Sequence, residues 1–488
     1  MPGVTITTAV RTGAVNTGIA PASTFFIVGT TERGIDTEAV LVTSLEDFET
    51  KFGSHVSGSY TWYSLKTFFE EGGVRAYVAR VSASDAVVAT KAILVGTSDP
   101  GITLTAVGKG TWGNSLSVTV TNNTTSFDLS VTYSGTTVFS GTGYTSLTEV
   151  ISAINFDTTA QYYFYAALTA SASASALLKT TAASAFASGA NGTAIAKSDF
   201  IADLALFTAD LGSGSVAMPG AVTGSSDSGI YDALRTHAQA NNRIAICSMA
   251  ESASLSDARS ASTGYSGTEY HEYMAFYHPW VKIPNGTVTV NIPPDAYVAG
   301  VRSRTHNQTG PWKAYAGVVS EAEFVSDTVL AVSRSEGDLM DAARLNPIRV
   351  INGRVRIYGA RSHSSVTAQW RFITARDTIN YIVTEAEKRL EDLVFSTIDG
   401  RSTLYANIIN AAQGVLEPIR INGGLYEGFT ADGRRIDYGY TIKCDSTLNP
   451  LAQLEEGTVR ARIGVRVSSV GDKIDVDLIK SNLTTALA

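Results

Sequence analysis

The chain has 488 residues, of which 44% are hydrophobic and 17% are charged, and its formal net charge is −8. This net negative charge argues against a protein that binds nucleic acid directly, because such proteins present a basic surface. The first ten residues lack the basic start and apolar core of a signal peptide, and no apolar run reaches the length of a membrane span. We therefore expect no membrane insertion. The low charge density favours a subunit that buries much of its surface in an assembly.

Motifs for enzyme chemistry are incomplete in this sequence. The HEYMA segment begins with His271 and Glu272, but position 275 is alanine where a zinc-binding helix of that type has its second histidine. The sequence has neither the GxSxG pattern of a nucleophilic serine nor the GxxxxGK[ST] pattern of a phosphate-binding loop. We expect no catalysis, no cofactor and no metal, so any mechanical work has to come from the protein's own conformations and contacts.

The first part of the chain alternates between strand and helix patterns. Residues 2–10 alternate as a strand, with Val4 and Ile6 on one face, and a glycine- and threonine-rich stretch follows. From Thr24 onward the pattern predicts a strand (FFIVGT), a strand and helix (VLVTSLEDFETKFG), a second helix (SYTWYSLKTFFEEGG) and a strand (VRAYVARV). Ser44 is the expected N-cap of the first helix, and Gly53 is its expected end.

Residues 85–194 differ from their surroundings, because they are rich in threonine, serine, alanine and glycine and nearly free of charge. Alternating strands with glycine and asparagine turns predict a β-rich domain here. The strand and helix alternation resumes near residue 195, so this domain is predicted to be an insertion. A carbohydrate-binding surface protein is an alternative explanation for such a domain.

The segment from Asn346 to Val394 predicts a strand around Arg354–Ile357, a second short strand around Trp370 and Phe372, and a long amphipathic helix. Two further strands follow, at 438–444 and 459–467, and the last segment again alternates. Arg460, Arg462 and Arg466 form a stripe on one strand face. This stripe either contacts an acidic partner or is simply a solvated face.

Three blocks of sequence resemble contractile tail sheath proteins of phages and related injection machines. The first is the FFEEGG and RAYVARV pair between residues 24 and 81, and the second includes PP, YVAGVRSRT and PWKA between 292 and 314; Tyr315 and Gly317, which follow, depart from the family pattern. The third is IRVINGRVRIYGAR, followed by a Trp-Arg pair and a long helix, between 346 and 394. The blocks occur in the order in which that family has them.

The resemblance implies an α+β multidomain protein, with an α/β sheath core, an inserted β-rich domain and extended strand arms at both ends. The expected parts are a linker arm (1–22), a discontinuous α/β middle domain (23–84 and 195–330), an inserted outer domain (85–194) and a C-terminal core domain (331–488) that ends in an arm from about 471. The resemblance further implies stacked six-membered rings around a tail tube, and contraction that drives the tube through the host envelope for genome delivery. The expected partners are copies of the chain itself, the tail tube protein, and baseplate and tail terminator proteins; the expected location is a virion tail assembled in the host cytoplasm. The sheath of a phage-derived injection system or bacteriocin stays open as the alternative.

In this family the terminal arms add strands to a sheet of neighbouring subunits, which is β-augmentation. The resemblance places Val4, Ile6, Ile474, Val476 and Leu478 in the arms and Tyr440, Ile442, Ile463 and Val465 in the receiving sheet. Gly13, Gly18 and Gly471 are the expected hinges. The residues alone leave open that the terminal strands pair within their own subunit.

Overall fold

The computed structural model describes residues 23–96, 99–170, 172–222 and 227–472. The chain divides into two compact units, one that extends to Phe395 and one that begins at Ser396. The predicted boundary at residue 330 lies within the first unit and stays a prediction.

The first elements of the chain follow the predicted order. They are β1 Phe25–Gly29, β2 Val40–Val42, α1 Leu45–Phe52, α2 Thr61–Glu70 and β3 Ala76–Arg80. Ser44 is the N-cap of α1, because its side chain accepts a hydrogen bond from the Asp47 amide at 3.0 Å. Gly53 ends the helix with a φ of +83°, a left-handed conformation that glycine adopts without strain. Both signals were expected from the sequence.

Residues 88–185 form two antiparallel sheets with a hydrophobic cluster of their own, which includes Ile102, Leu116 and Phe164. The elements are β4 Val88–Leu94, β5 Pro100–Lys109, β6 Leu116–Asn122, β7 Phe127–Tyr133, β8 Thr136–Tyr144, α3 Leu147–Asn155, β9 Phe164–Leu168 and β10 Thr181–Ala185. The strand orders are β4-β5-β9 and β10-β6-β7-β8. The identity of this region as an inserted outer domain stays a prediction.

The rest of the first unit alternates between helices and strands. Its elements are α4 Lys197–Asp203, β11 Gly214–Ala217, α5 Ser228–Ala240, β12 Arg243–Ser248, α6 Leu255–Tyr265, β13 Met274–His278, β14 Val281–Asn285, β15 Val288–Ile292, α7 Asp295–Gln308, β16 Asp327–Thr328, α8 Arg334–Ala342, β17 Leu345–Ile351, β18 Arg354–Ile357, α9 Thr367–Trp370 and α10 Ile373–Glu391. Strands β14, β15 and β16 form a small sheet beside the main one.

An eight-stranded sheet organises the first unit, in the order β18-β17-β13-β12-β11-β1-β3-β2. Its six inner strands are parallel, and an antiparallel strand closes each edge. Successive residues of a strand point to opposite faces, so Phe25 and Ile27 join one hydrophobic cluster while Phe26 and Val28 join the other. Helices cover both faces, as buried parallel sheets require.

One expectation about the segment 330–394 was wrong, whereas its first strand joins the main sheet. Strand β17 pairs parallel to β13, with Phe276 opposite Leu345, so the sheet continues past residue 330. The predicted second strand around Trp370 and Phe372 is the short helix α9 followed by the start of α10. Trp370 and Thr374 are four residues apart, a spacing that fits one helix face as well as it fits a strand. A single bridge between Arg361 and Phe372 is the strand-like feature of this stretch.

Both edges of the main sheet have partners within the same unit. The Ala322 amide donates to the Val355 carbonyl oxygen at 3.0 Å, and the Ile357 amide donates to Ser320 Oγ at 3.0 Å, so the outer side of β18 is occupied. At the other edge, β2 has three residues, and Lys51 Nζ donates to the Leu41 carbonyl oxygen at 2.8 Å. These contacts satisfy polar groups that would otherwise pair with another chain.

Helices α2 and α7 approach closely at Gly300. A Cβ atom at this position would lie 2.7 Å from Glu71 Cβ and 2.9 Å from the Phe68 carbonyl oxygen. We expect Gly300→Ala to reduce the free energy of unfolding by about 1–3 kcal/mol, because the two helices would have to separate. At Gly264, in α6, an added Cβ atom would meet no other atom within 4 Å, so Gly264→Ala is the matched control and should stabilise by about 0.5–1 kcal/mol. Denaturant unfolding of both variants measures the contrast, and equal effects would contradict the close packing.

The second unit, described from Ser396 to Asp472, contains one long helix and short strands. Its elements are α11 Thr403–Ile421, β19 Gly428–Phe429, β20 Arg435–Asp437, β21 Tyr440–Lys443, α12 Leu451–Glu455 and β22 Arg462–Val465. They form two antiparallel pairs, β19 with β20 and β21 with β22. The strand predicted over 459–467 is shorter than expected, because Asn449 binds the backbone of Arg460 just before it starts.

Candidate assembly surface

The pair β21–β22 has one apolar and one charged face. Its register places Tyr440 opposite Val465 and Ile442 opposite Ile463, and these four side chains are half-buried. Thr441, Lys443 and Arg462 lie on the other face and are exposed. The structure therefore brings together the four residues that were predicted to belong to one receiving sheet. Their role in receiving a strand stays a prediction.

Helix α11 packs against β21 and supports its apolar face. The buried side chains Ala412, Val415, Leu416 and Ile419 recur at intervals of three and four residues, which places them on one helix face. The sequence analysis did not identify this helix. The apolar spacing, and the Asn422-Gly423-Gly424 sequence at its end, were signals that could have located it.

A polar network links α11 to the strand pair. Tyr440 Oη donates to Glu417 Oε2 at 2.9 Å, and Arg420 donates through Nε to the same oxygen at 3.0 Å and through Nη1 to Glu427 Oε1 at 2.5 Å. The hydrogen bond from Arg420 holds the pKa of Glu417 below its usual value, and the two carboxylates raise the pKa of Arg420. Burial, with the Glu417 charge, raises the pKa of the Tyr440 hydroxyl. Near neutral pH Glu417 and Arg420 therefore stay ionised, and the Tyr440 hydroxyl stays protonated.

The three arginines of the predicted stripe have different surroundings. Arg466 Nη2 donates to both carboxylate oxygens of Asp437 at 2.7 Å, and this hydrogen bond lowers the pKa of Asp437. Arg460 and Arg462 are exposed, and neither makes a side-chain ion pair with any residue between 396 and 472. The stripe is thus reduced to two arginines whose charge is uncompensated within the described part of the unit.

The backbone of β21–β22 leaves both outer edges open. The Arg466 amide donates to the Gly439 carbonyl oxygen at 2.8 Å, so these residues form a hydrogen-bonded pair. Hydrogen-bonded pairs alternate with non-hydrogen-bonded pairs in an antiparallel ladder. The pairs Tyr440–Val465 and Ile442–Ile463 are therefore non-hydrogen-bonded pairs. Their backbone amides and carbonyls point away from the partner strand, toward the outer edges. Within the described residues no hydrogen bond reaches these groups.

A two-stranded sheet of four-residue strands is marginally stable in water, because it buries little and leaves half of its backbone groups unpaired. The edge strands of the main sheet in the first unit have hydrogen-bond partners, whereas the edges of β21–β22 in the second unit have none within the described residues. The β21–β22 pair is the better candidate for a contact with another chain.

Neither a metal site nor a membrane span is found in the described ranges. No group of three or more histidine, cysteine, aspartate or glutamate side chains there is arranged to hold a metal ion. None of the described helices is long and apolar enough to cross a membrane.

Solved structures with the same architecture are contractile sheath proteins. The sheath tail protein of Listeria innocua is 14% identical, with a TM-score of 0.59 over 90% of each chain. The PVC sheath complex of an extracellular contractile injection system, in its contracted state, is 14% identical, with a TM-score of 0.55 over 98% of each chain. The chain has the fold of a contractile tail sheath protein. The helical sheath of the anti-feeding prophage, also contracted, shares it with 15% identity and a TM-score of 0.54 over 98% of this chain and 99% of that one.

The similarity to solved sheath structures is not accompanied by a match to a family model or to a curated sequence. The resemblance inferred from the three sequence blocks is confirmed at the level of the fold, which extends over nearly the whole chain. A mixed architecture of helices and several sheets was also expected and is present.

Several sequence-predicted residues of the sheath fold lie outside the described residues. These are Val4, Ile6, Ile474, Val476 and Leu478 of the arms, and the hinge candidates Gly13 and Gly18. Gly471 is described and exposed, and a Cβ atom added to it would meet no other atom within 4 Å. Packing therefore does not require a glycine at this position, and the hinge role stays a prediction.

Proposed function

We propose that the chain is a sheath subunit that polymerises in stacked six-membered rings around an inner tube and contracts to drive the tube through a host envelope. The open-edged pair β21–β22 carries this proposal, because its outward amides and carbonyls need a strand that the described part of the chain does not supply. The fold shared with sheath complexes supports it.

The terminal segments are the strands that we assign to this edge. Residues 2–10 and 473–478 alternate between apolar and polar side chains, as a strand added to a half-buried sheet requires. Each backbone hydrogen bond contributes about 0.5–1.5 kcal/mol, so a single added strand is a modest link. Repetition over a lattice makes the sum of such links large, while glycines at 13, 18 and 471 let subunits move without losing them.

Phage tails and injection systems both fit this proposal. Two of the similar solved structures are named as an extracellular contractile injection system and an anti-feeding prophage. The proposed chemistry is the same in either case: the subunit binds copies of itself, a tube protein and the baseplate, and it does no catalysis. Genome delivery from a virion tail is the interpretation that we favour.

Removal of residues 1–15 tests the arm. We expect the truncated subunit to keep its circular dichroism spectrum and melting temperature, because the described cores lie beyond this segment. We also expect it to lose tubular assembly when it is mixed with its tube protein, as seen by negative-stain electron microscopy. The matched controls are the full chain and Thr5→Ser/Thr7→Ser, which changes the polar face of the same segment. Normal tubes from the truncated subunit would refute the arm hypothesis.

A further inference from the structure

The strand order of the main sheet reverses its direction between β1 and β11. From β1 the chain leads to β3 on one side, and from β11 it leads to β12 and β13 on the other side. The pairings of β1 with β3 and of β1 with β11 are both parallel, so the carboxyl ends of these strands meet at one edge of the sheet. In an open α/β sheet, ligands bind in the crevice at this edge, where the chain leaves two neighbouring strands in opposite directions.

The helices that follow β1 and β11 lie on opposite faces of the sheet. Helix α2, between β1 and β3, contributes Leu65 to the hydrophobic cluster on one face. Helix α5, between β11 and β12, contributes Ile230 to the cluster on the other face. The two connections therefore diverge, which is the arrangement that leaves a crevice between them.

A solvent-open cleft of about 370 Å³ lies at this edge, and we call it the switch-point cleft. Its walls come from the segments that follow the parallel strands, because Gly220 comes three residues after β11, Glu251 three residues after β12 and Trp280 two residues after β13. The volume falls within the range of about 300–1,000 Å³ that is typical of small-molecule sites. The residues that line the cleft are Tyr60, Gly220, Val222, Glu251, Ser252 and Trp280.

Two aromatic rings form a fixed wall of the cleft. The rings of Tyr60 and Trp280 are perpendicular, with their centroids 5.2 Å apart. Trp280 is 4% exposed, and its Nε1 donates to the Met249 carbonyl oxygen at 2.7 Å. A Cβ atom added to Gly220, whose φ is +78°, would lie 2.3 Å from Tyr60 Cδ2. The glycine therefore leaves the space that the tyrosine ring fills.

Glu251 gives the cleft a negative charge. Its Oε1 accepts a hydrogen bond from Asn291 Nδ2 at 2.6 Å, and no ion pair to Glu251 occurs among the described residues. Burial, with the Glu251 charge, raises the pKa of the Tyr60 hydroxyl. No lysine or arginine belongs to the described lining of the cleft. This charge disfavours a phosphate or a nucleotide and favours a cation.

We propose that the switch-point cleft binds an ammonium or guanidinium group, carried by a free organic amine or by a lysine or arginine side chain of another protein. Glu251 would form a charge-assisted hydrogen bond to this group, and the Tyr60 ring would add a cation–π contact. A sugar would need an exposed ring face on which to stack, whereas Trp280 is almost fully buried. This site lies in the first unit and does not depend on the proposed sheath role.

A binding experiment on the full chain tests the site. The probes are N-acetyl-lysine methylamide, spermidine, and the uncharged N-acetyl-norleucine methylamide, and ligand-observed NMR titration gives each Kd. We expect the lysine probe to bind and the norleucine probe not to bind. Glu251→Gln should weaken binding of the lysine probe at least about tenfold, because the charged partner is lost. Glu269→Gln, at another exposed glutamate, is the matched control and should leave Kd unchanged.

Two variants of Tyr60 separate its ring from its hydroxyl. Tyr60→Leu should weaken binding by about threefold or more, because the cation–π contact is lost, whereas Tyr60→Phe should leave Kd unchanged. Because the Tyr60 ring also packs against the core, the melting temperature of both variants is measured alongside Kd. Equal Kd for Tyr60→Leu and the wild type would remove the ring from the site.

The remaining outcomes decide both the ligand and its source. Binding of the lysine probe would show that a protein side chain can occupy the cleft, and binding of spermidine alone would assign it to free amines. Equal binding of the lysine and norleucine probes, or of wild type and Glu251→Gln, would overturn the proposal. Binding of methyl glucoside in place of the amines would show a sugar site, and absence of binding by every probe would show that the cleft is empty of function. None of these results affects the assembly test with residues 1–15 removed.

Discussion

Replacement of Asp377 by alanine is expected to lower the free energy of unfolding by about 3–5 kcal/mol. Arg302, on α7, donates through Nε to Asp377 Oδ2 at 3.3 Å and through Nη2 to Asp377 Oδ1, and Asp377 belongs to α10. Both side chains are at most 2% exposed. Burial opposes the charge on Arg302, yet the charge and hydrogen bonds of Asp377 leave the pKa of Arg302 raised. The variant would leave this guanidinium buried without that carboxylate, so the large loss comes from the arginine that remains.

Asp327→Ala provides the matched control, because Asp327 forms an ion pair with Lys282 at 3.2 Å on the exposed surface. It should cost less than about 1 kcal/mol. The double variant Arg302→Met/Asp377→Leu should recover much of the stability lost in Asp377→Ala, since it removes both buried charges together. Calorimetry or denaturant unfolding measures all three. A loss below about 1 kcal/mol for Asp377→Ala would mean that the ion pair does not hold α7 against α10.

Local signals in the sequence were enough to predict the first block of the fold. Elements β1 to β3 were located because hydrophobic alternation, the Ser44 cap and the Gly53 stop all act within a few residues. The same kind of local signal exists for α11, which was not predicted: Ala412, Val415, Leu416 and Ile419 share one helix face.

These local signals do not predict which strands pair when they lie far apart in the sequence. The parallel pairing of β17 with β13 joins residues about 70 positions apart, and no local sequence pattern predicts it. The contact between Arg466 and Asp437 likewise joins residues that β21 and α12 separate along the chain. The alternation of Ile463 and Val465 predicted a half-buried face, but alternation alone does not distinguish a paired edge from an open one.

Stability should depend on pH through Asp295, which is the first residue of α7 and is 2% exposed. Burial raises its pKa to about 7, although a hydrogen bond from Ser248 acts in the opposite direction. The ordinary aspartate value is 3.8, so between about pH 4 and pH 7 the folded protein binds a proton that the unfolded chain has released. Stability therefore falls as pH rises through this window. The loss is on the order of 3 kcal/mol, since each pKa unit corresponds to about 1.4 kcal/mol.

Asp295→Asn should remove this dependence, because the amide keeps the shape of the side chain and an oxygen that can accept a hydrogen bond but never ionises. We expect the variant to match the wild type near pH 5 and to exceed its free energy of unfolding at pH 8 by about 3 kcal/mol. Denaturant unfolding at intervals between pH 4.5 and pH 8 measures both curves, with the exposed residue Asp392, changed to asparagine, as the control. Parallel curves for wild type and Asp295→Asn would show that Asp295 is ionised throughout the range, so the positive N-terminal end of α7 would then have to stabilise the buried carboxylate more than burial destabilises it.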